Sequence, residues 1–145
     1  MLNLDKFKIT LKSRGLKATP QRVAVHSAML GLVHASAEQV AQAVLEQGGV
    51  RVTTSSVYNI LEELSSIGIY RKLPSPGSKM YFDVDNSSHV HLFDKVNSEF
   101  RNIQEEEILQ VIGEHFRKKR YRGLKIESID LSLICRPSRS AKRKI

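Results

Sequence analysis

Residues 53–82 read TTSSVYNILEELSSIGIYRKLPSPGSKMYF, and the period of their apolar side chains changes once along the way. Up to Ile67 the apolar positions Val57, Leu61 and Leu64, extended by Ile60 and Ile67, fall on one helical face. Thr53 supplies an N-cap hydroxyl, and Gly68 stands where a left-handed C-cap is wanted. Beyond Gly68 the period drops to two. Ile69, Arg71 and Leu73 alternate, Pro74-Ser75-Pro76-Gly77 turns, and Met80 and Phe82 return. A helix running into a two-stranded ribbon is the closing half of a winged helix-turn-helix. In that arrangement the helix enters the major groove and Lys79 on the ribbon reaches phosphate.

The residues before this stretch supply the other helices of such a domain. Leu4, Phe7 and Leu11 sit at helical spacing over 4–13, and Gly15 closes that segment. Thr19-Pro20 gives an N-cap hydroxyl followed by Pro at the first helical position, where its missing N–H costs nothing. Val25, Met29 and Leu32 form the stripe of this second helix. Ser36-Ala37-Glu38-Gln39 is a capping box that opens a third helix, with Val40, Ala41 and Val44 on one face and Gly48-Gly49 at its end.

After the ribbon the polar stretch Asp85-Asn86-Ser87-Ser88 suits a hinge, and the pattern shifts to short strands. Residues 89–96 and 99–103 are expected to pair. A helix is expected from about Glu105 to Lys119, acidic at its start and basic at its end as its macrodipole favours. A last strand places Ile129, Leu131, Leu133 and Cys135 on one face. The fold class is therefore α+β. The expected organisation is a winged-helix DNA-binding domain over 1–83, a hinge at 84–88, a small α/β dimerisation domain over 89–136 and a basic, disordered tail at 137–145. So small a second domain favours dimerisation.

A formal charge of +8 in 145 residues raises affinity for polyanions, chiefly nucleic acid. The charge gathers near the N-terminus (Lys6, Lys8, Lys12, Arg14, Lys17, Arg22), in the run Arg117 to Lys125, and in the tail. Apolar runs are too short to span a membrane. The opening MLNLDKFK lacks the apolar core of a signal peptide, so the cytoplasm is the expected location. Cys135 is the only cysteine, which excludes a disulfide framework and a Cys-rich zinc site within the chain. At the end of an apolar strand it is expected to be a small buried hydrophobe.

His89-Val90-His91 is the short element richest in chemistry. In an extended segment, residues two apart point to the same face, so two imidazoles converge. They are open to two readings, metal ligands or surface histidines. His26 and His115 lie within expected helices and are read as structural.

Taken together, Leu16-Lys17-Ala18-Thr19-Pro20-Gln21-Arg22, His34-Ala35-Ser36-Ala37-Glu38, Val57-Tyr58-Asn59-Ile60-Leu61 with Leu64 and Gly68, and His89-Val90-His91-Leu92 resemble the ferric uptake regulator (Fur) superfamily over nearly the whole chain. The resemblance implies a regulatory metal site of His34, Asp83, His89, His91 and Glu99, although the segment between His91 and Phe100 is shorter here than the family pattern. Three imidazoles and two carboxylates suit Fe(II) or Mn(II) and also accept Zn(II). The structural zinc of most members is expected to be absent. One of its Cys-x-x-Cys pairs is replaced by Asp94-Lys95-Val96-Asn97-Ser98, and the other survives only as Cys135, with Ser138 at the partner position. A further site of some relatives falls on Ser88 and Val90, which are not ligands, so one metal per subunit is expected.

Ser55, Ser56, Tyr58 and Asn59 are the implied readers of DNA, with Lys17 and Arg22 as phosphate anchors. The implied partners are a double-stranded operator, read as an inverted repeat, and a second copy of the chain. No small-molecule substrate is implied.

Within the family, Asn59 and Asp83 resemble the peroxide-sensing branch (PerR), whereas Glu99 leans toward the iron-uptake branch. The peroxide reading makes His34 and His89 the side chains oxidised when Fe(II) meets hydrogen peroxide; the alternative is a sensor of metal level. Two further readings are a metalloenzyme and a passive basic nucleic-acid scaffold. Five protein ligands leave little open coordination for an enzyme, no acid–base pair is seen, and a scaffold does not explain the His/Asp/Glu set.

Overall fold

The computed structural model describes residues 1–138; most of the expected basic tail therefore lies outside the described residues. The chain forms two compact units, Met1–Asn86 and Ser87 onward.

In the first unit each helix begins where a side chain can satisfy its orphan N–H groups. Asn3 opens α1 (Leu4–Ser13), accepting from the Lys6 N–H at 2.8 Å. The Thr19 hydroxyl accepts from the Arg22 N–H at the start of α2 (Pro20–Leu32). Ser36 and Gln39 bond reciprocally at the start of α3 (Ala37–Gln47), and Thr53 and Ser56 do the same for α4 (Thr54–Ser66). Each such cap stabilises its helix by about 1 kcal/mol. Gly68, at φ +83°, turns the chain out of α4 in a conformation that suits glycine.

The four helices share one core. Phe7, Leu11, Val25, Met29, Val40, Val44, Val57, Leu61 and Leu64 are essentially inaccessible to solvent, and each such burial contributes roughly 1.5–3 kcal/mol. His26 is buried among them, stacked on Phe7 with ring centroids 4.0 Å apart.

Strands β2 (Arg71–Pro74) and β3 (Met80–Asp83) form the expected ribbon. A third strand joins it. Residues 34–36, read from the sequence only as the approach to a helix cap, form β1 (His34–Ser36), which pairs antiparallel with β3 in the order β1-β3-β2. The turn into β1 is tight. Val33 sits at φ 65°, ψ −56°, a region β-branched residues seldom adopt. It is held there by its N–H on the Met29 carbonyl at 2.8 Å and its own carbonyl on the Val84 N–H at 3.0 Å.

In the second unit β4 (Val90–Asp94) and β5 (Glu99–Ile103) form an antiparallel hairpin. Helix α5 (Glu106–Arg117) follows, and β6 (Leu131–Cys135) lies parallel to β4 on the side away from β5. The last strand is at most half-buried on either face. Leu133 is 48% and Ile134 53% exposed, and consecutive strand residues lie on opposite faces. Cys135 is likewise half-buried rather than buried, with Sγ 3.4 Å from the Leu133 carbonyl oxygen. No residue of α5 is buried. Among the described residues no helix is long and apolar enough to cross a membrane.

Candidate functional site

In the first unit, β1 and β3 bring His34 directly opposite Asp83. Its Nε2 lies 3.3 Å from Asp83 Oδ2, with the carboxylate fully buried and the imidazole nearly so. The other oxygen, Oδ1, accepts the Asp85 N–H at 2.9 Å, which fixes the carboxylate plane at the end of the strand. This leaves one imidazole nitrogen and one carboxylate oxygen directed at each other, on a strand pair whose approach is the constrained turn at Val33.

In the second unit, His89 stands just before β4 and His91 lies within it, both buried. Their Nε2 atoms are 2.8 Å apart, with the rings inclined by 70°. Two neutral imidazoles can approach so closely only if one nitrogen carries a proton and the other accepts it. A divalent cation satisfies both lone pairs at once, with N–metal bonds of about 2.0–2.1 Å. His91 is held edge-on to Phe100, with ring centroids 5.7 Å apart.

Glu99 is not part of this group. The β4–β5 register places it opposite Asp94, whereas His91 faces Asn102. Because side chains alternate, Glu99 lies on the face of the hairpin opposite to that of His91 and Phe100. The expected fifth ligand is corrected accordingly. The side chain that does share the position and face of His91 is Asn102, which the sequence reading missed.

The residues expected at DNA divide into two sets. Lys17, Ser55, Tyr58, Asn59 and Lys79 are exposed. Thr54, Ser55, Tyr58 and Asn59 on α4, with Ser78 and Lys79 on the β2–β3 turn, line a cavity of about 490 Å3. Lys79 pairs with Glu38 at 3.2 Å on its rim. Arg22 and Ser56 are instead engaged inside the unit. The Arg22 guanidinium bonds Glu63 at 2.6 Å and the Lys17 carbonyl at 2.9 Å, tying α2 to α4. The Ser56 hydroxyl completes the helix cap. A contact absent from the sequence reading is the ion pair between Lys72 on β2 and Glu62 on α4.

The sequence model described as the Ferric uptake regulator family matches residues 13–134. The peroxide-responsive repressor PerR of Staphylococcus saprophyticus is 30% identical over 84 residues, which are 57% of this chain and 56% of that protein. The match thus spans less than two thirds of the relative's length. Among solved structures, the ferric uptake regulator of Pseudomonas aeruginosa with manganese is 27% identical at a TM-score of 0.70, covering 90% of this chain and 97% of that one. The Vibrio cholerae ferric uptake regulator has a TM-score of 0.75 at 22% identity, covering 90% and 99%.

Proposed function

The chain belongs to the ferric uptake regulator family of metal-dependent transcriptional regulators, and from that premise we propose that it is a homodimeric, peroxide-sensing repressor. One divalent ion per subunit takes donors from His34 and Asp83 of the first unit and from His89 and His91 of the second. The observation that carries this is the close approach of the two Nε2 atoms of His89 and His91, 2.8 Å apart. The family resemblance and the donor chemistry support joining the two pairs at one ion. Three imidazoles and one carboxylate form a mixed nitrogen–oxygen set that suits Fe(II) or Mn(II) and accepts Zn(II). No structural zinc is assigned.

Donors drawn from both units make their relative orientation depend on the ion. In a two-fold dimer that orientation sets the spacing of the two α4 helices, and hence the fit to an inverted-repeat operator. In this reading α4 lies in the major groove with Ser55, Tyr58 and Asn59 at the bases. Lys17 and Lys79 lie at phosphates, where they position the protein without specifying sequence. Dimerisation is supported by α5, whose Ile108 and Val111 are 43% and 61% exposed within the single chain.

An Fe(II) ion held by these residues would activate hydrogen peroxide, the two-electron oxidant, so that one peroxide oxygen is added to a ligand imidazole and the other leaves as water. His34 and His89 are the side chains assigned to be oxidised, and an oxidised imidazole no longer donates to the ion. The support for peroxide over metal level as the signal is the pairing of Asn59 with Asp83 in the sequence and the likeness to the staphylococcal peroxide-responsive repressor.

The test is peptide mass spectrometry of anaerobically Fe(II)-loaded protein after brief peroxide exposure, with Mn(II)-loaded protein as control. Peptides containing His34 or His89 are expected to gain oxygen only with iron, with DNA binding falling in step. Bound iron with neither peptide modified overturns the peroxide reading and leaves a sensor of metal level.

A further inference from the structure

Gln21 and Arg22 stand side by side at the start of α2, and both reach toward α4. The Gln21 amide donates to the Arg51 carbonyl at 3.2 Å, just before the Thr53 cap of that helix. The Arg22 guanidinium donates through Nη2 to Glu63 Oε1 at 2.6 Å, near the other end of α4. Its Nη1 donates to the Lys17 carbonyl at 2.9 Å. The Arg22 backbone is fixed as well, its N–H held by the Thr19 hydroxyl at 3.2 Å.

Two neighbouring residues thus fasten α4 to α2 before its first turn and within its last. The apolar face of α4 buries the helix, but hydrophobic attraction has no direction and fixes register weakly. Hydrogen bonds do have direction. Asn59 and Glu63 are one turn apart on the same side of α4, so a bond at Glu63 sets where Asn59 stands. The planar guanidinium holds a carboxylate and a carbonyl at once, in a fixed geometry that an ammonium point charge lacks. The Glu63 carboxylate also offsets the charge with which Arg22 would draw a phosphate.

We propose that Gln21 and Arg22 are positioning residues that hold the reading face of α4 (Ser55, Tyr58 and Asn59) in register with the phosphate anchor Lys17. Arg22 acts through Glu63 and the Lys17 carbonyl, not by meeting phosphate itself. The inference rests on the reading that α4 carries the base contacts.

The experiment begins with selection from a randomised duplex library by the full-length, Mn(II)-loaded chain. The selected duplex and an unrelated one are then titrated over a range of salt with wild type and variants, circular dichroism confirming that each is folded. Glu63→Ala removes a negative charge, which by itself favours DNA. Its affinity for the selected duplex is nevertheless expected to fall about fivefold or more, the lower end of one good base contact, while the unrelated duplex is bound no more weakly. Glu63→Gln, which keeps an oxygen for Arg22, is expected to retain most of the wild-type preference. Arg22→Gln should lose preference as Glu63→Ala does, and combining the two should cost no more than either alone. Gln21→Ala, with no change of charge, is expected to shift preference in the same direction. In Arg22→Gln the slope of log affinity against log salt should stay at the wild-type value, since no phosphate contact is lost. Should Arg22→Gln not fold, the two Glu63 variants carry the same test from the other side of the bond. A slope reduced by about 0.9, with equal losses on both duplexes, identifies Arg22 as a phosphate anchor and overturns the proposal. So does a Glu63→Ala variant that binds the selected duplex as tightly as wild type. If wild-type protein selects no sequence at all, the reading of α4 fails first and takes the proposal with it.

Discussion

His91 and Asn102 face each other directly across the β4–β5 hairpin, while Glu99, three residues back along β5, stands opposite Asp94 on the other face. The position beside His91 that a carboxylate would occupy to best effect is thus held by a neutral amide. A carboxylate there would lie within a few ångströms of a bound divalent ion. Even a partly screened charge at that distance contributes on the order of 1 kcal/mol or more. Asn102→Asp is therefore expected to tighten Mn(II) binding about fivefold or better in an anaerobic competition titration. Glu99→Gln is expected to leave it unchanged, whereas His91→Ala should weaken it by at least the 10- to 100-fold typical of losing even a supporting residue. Equal losses from Glu99→Gln and His91→Ala would reinstate Glu99 as a ligand.

The resemblance puts Glu99 in the ligand set across a connection shorter than the family pattern, and the register of the hairpin sets it opposite Asp94 instead. The Asp94 carboxylate stops the strand. Its Oδ1 accepts the N–H groups of Val96 and Asn97 at 2.9 and 3.1 Å, and its Oδ2 accepts the Asn97 amide at 2.8 Å. Residues 95–98 are left as the connection, and Asn102 comes opposite His91. The helices of the first unit were legible because their signals are local: Thr19, Ser36, Gln39 and Thr53 each bond within one turn. Strand β1 was not, because its partner β3 is far along the chain and three residues carry no periodicity. Val33 gave no warning either. A β-branched side chain argues against positive φ, and only bonds to Met29 and Val84 impose it. Of the candidate metal centre, the histidines and Asp83 come from the motif resemblance. The missed partner of His91 depended on register, which residue types alone express weakly.

That same turn bears on the expectation that the chain carries no structural zinc. In place of a Cys-x-x-Cys pair, residues 94–98 are closed by hydrogen bonds that the Asp94 carboxylate accepts from Val96 and Asn97. Chelation of zinc is accordingly expected to leave the thermal unfolding of the second unit unchanged. Asp94→Ala should lower its melting temperature, with Asp94→Asn intermediate. The Asn97 bonds are the main reason the Asp94 carboxyl is held below its usual range. This contribution to stability is present above the unfolded-state pKa and is lost as pH falls through the lowered native one. A melting transition that collapses on adding a zinc chelator, followed by circular dichroism, would contradict this account.

His26 makes the first unit sensitive to acid. Leu2 can offer only a carbonyl oxygen, 2.6 Å from Nε2, so that nitrogen carries the proton. Nδ1 then accepts the Tyr70 hydroxyl at 2.7 Å, a hydroxyl kept protonated by burial, which pushes its pKa far up. The neutral ring is fully satisfied. Burial, partly opposed by the Leu2 carbonyl and reinforced by the N-terminal charge, lowers its pKa from the ordinary 6.5. The unfolded chain therefore takes the proton more readily than the native one. The contribution of His26 is complete above pH 6.5 and is lost as pH falls through the lower native value. In metal-free protein, urea midpoints should decline below pH 6.5. In His26→Phe that decline should be smaller, whatever its effect at neutral pH. Identical pH profiles for the two proteins would remove His26 from this role.

The outward face of α5 gives the last prediction. A helix whose inner positions Leu109, Ile112 and Phe116 are only half-buried, and whose outer positions Ile108 and Val111 are exposed, has apolar residues on more of its surface than one unit covers. The acids Glu105, Glu106 and Glu107 gather at one end. At the other, basic residues continue past the last turn through Lys119, Arg120, Arg122 and Lys125. A helix macrodipole accounts for charge within the terminal turn and not beyond it. Two copies related by a two-fold axis bury such a face against each other, and a charge at its centre is then left without water or a partner. Val111→Glu is expected to shift the chain from dimer to monomer in analytical ultracentrifugation at micromolar concentration. The winged-helix unit should keep its fold, since Val111 lies outside it. Specific DNA affinity should fall at least tenfold, because a monomer contacts one half-site. An unchanged dimer with Glu at this position would exclude α5 from the interface.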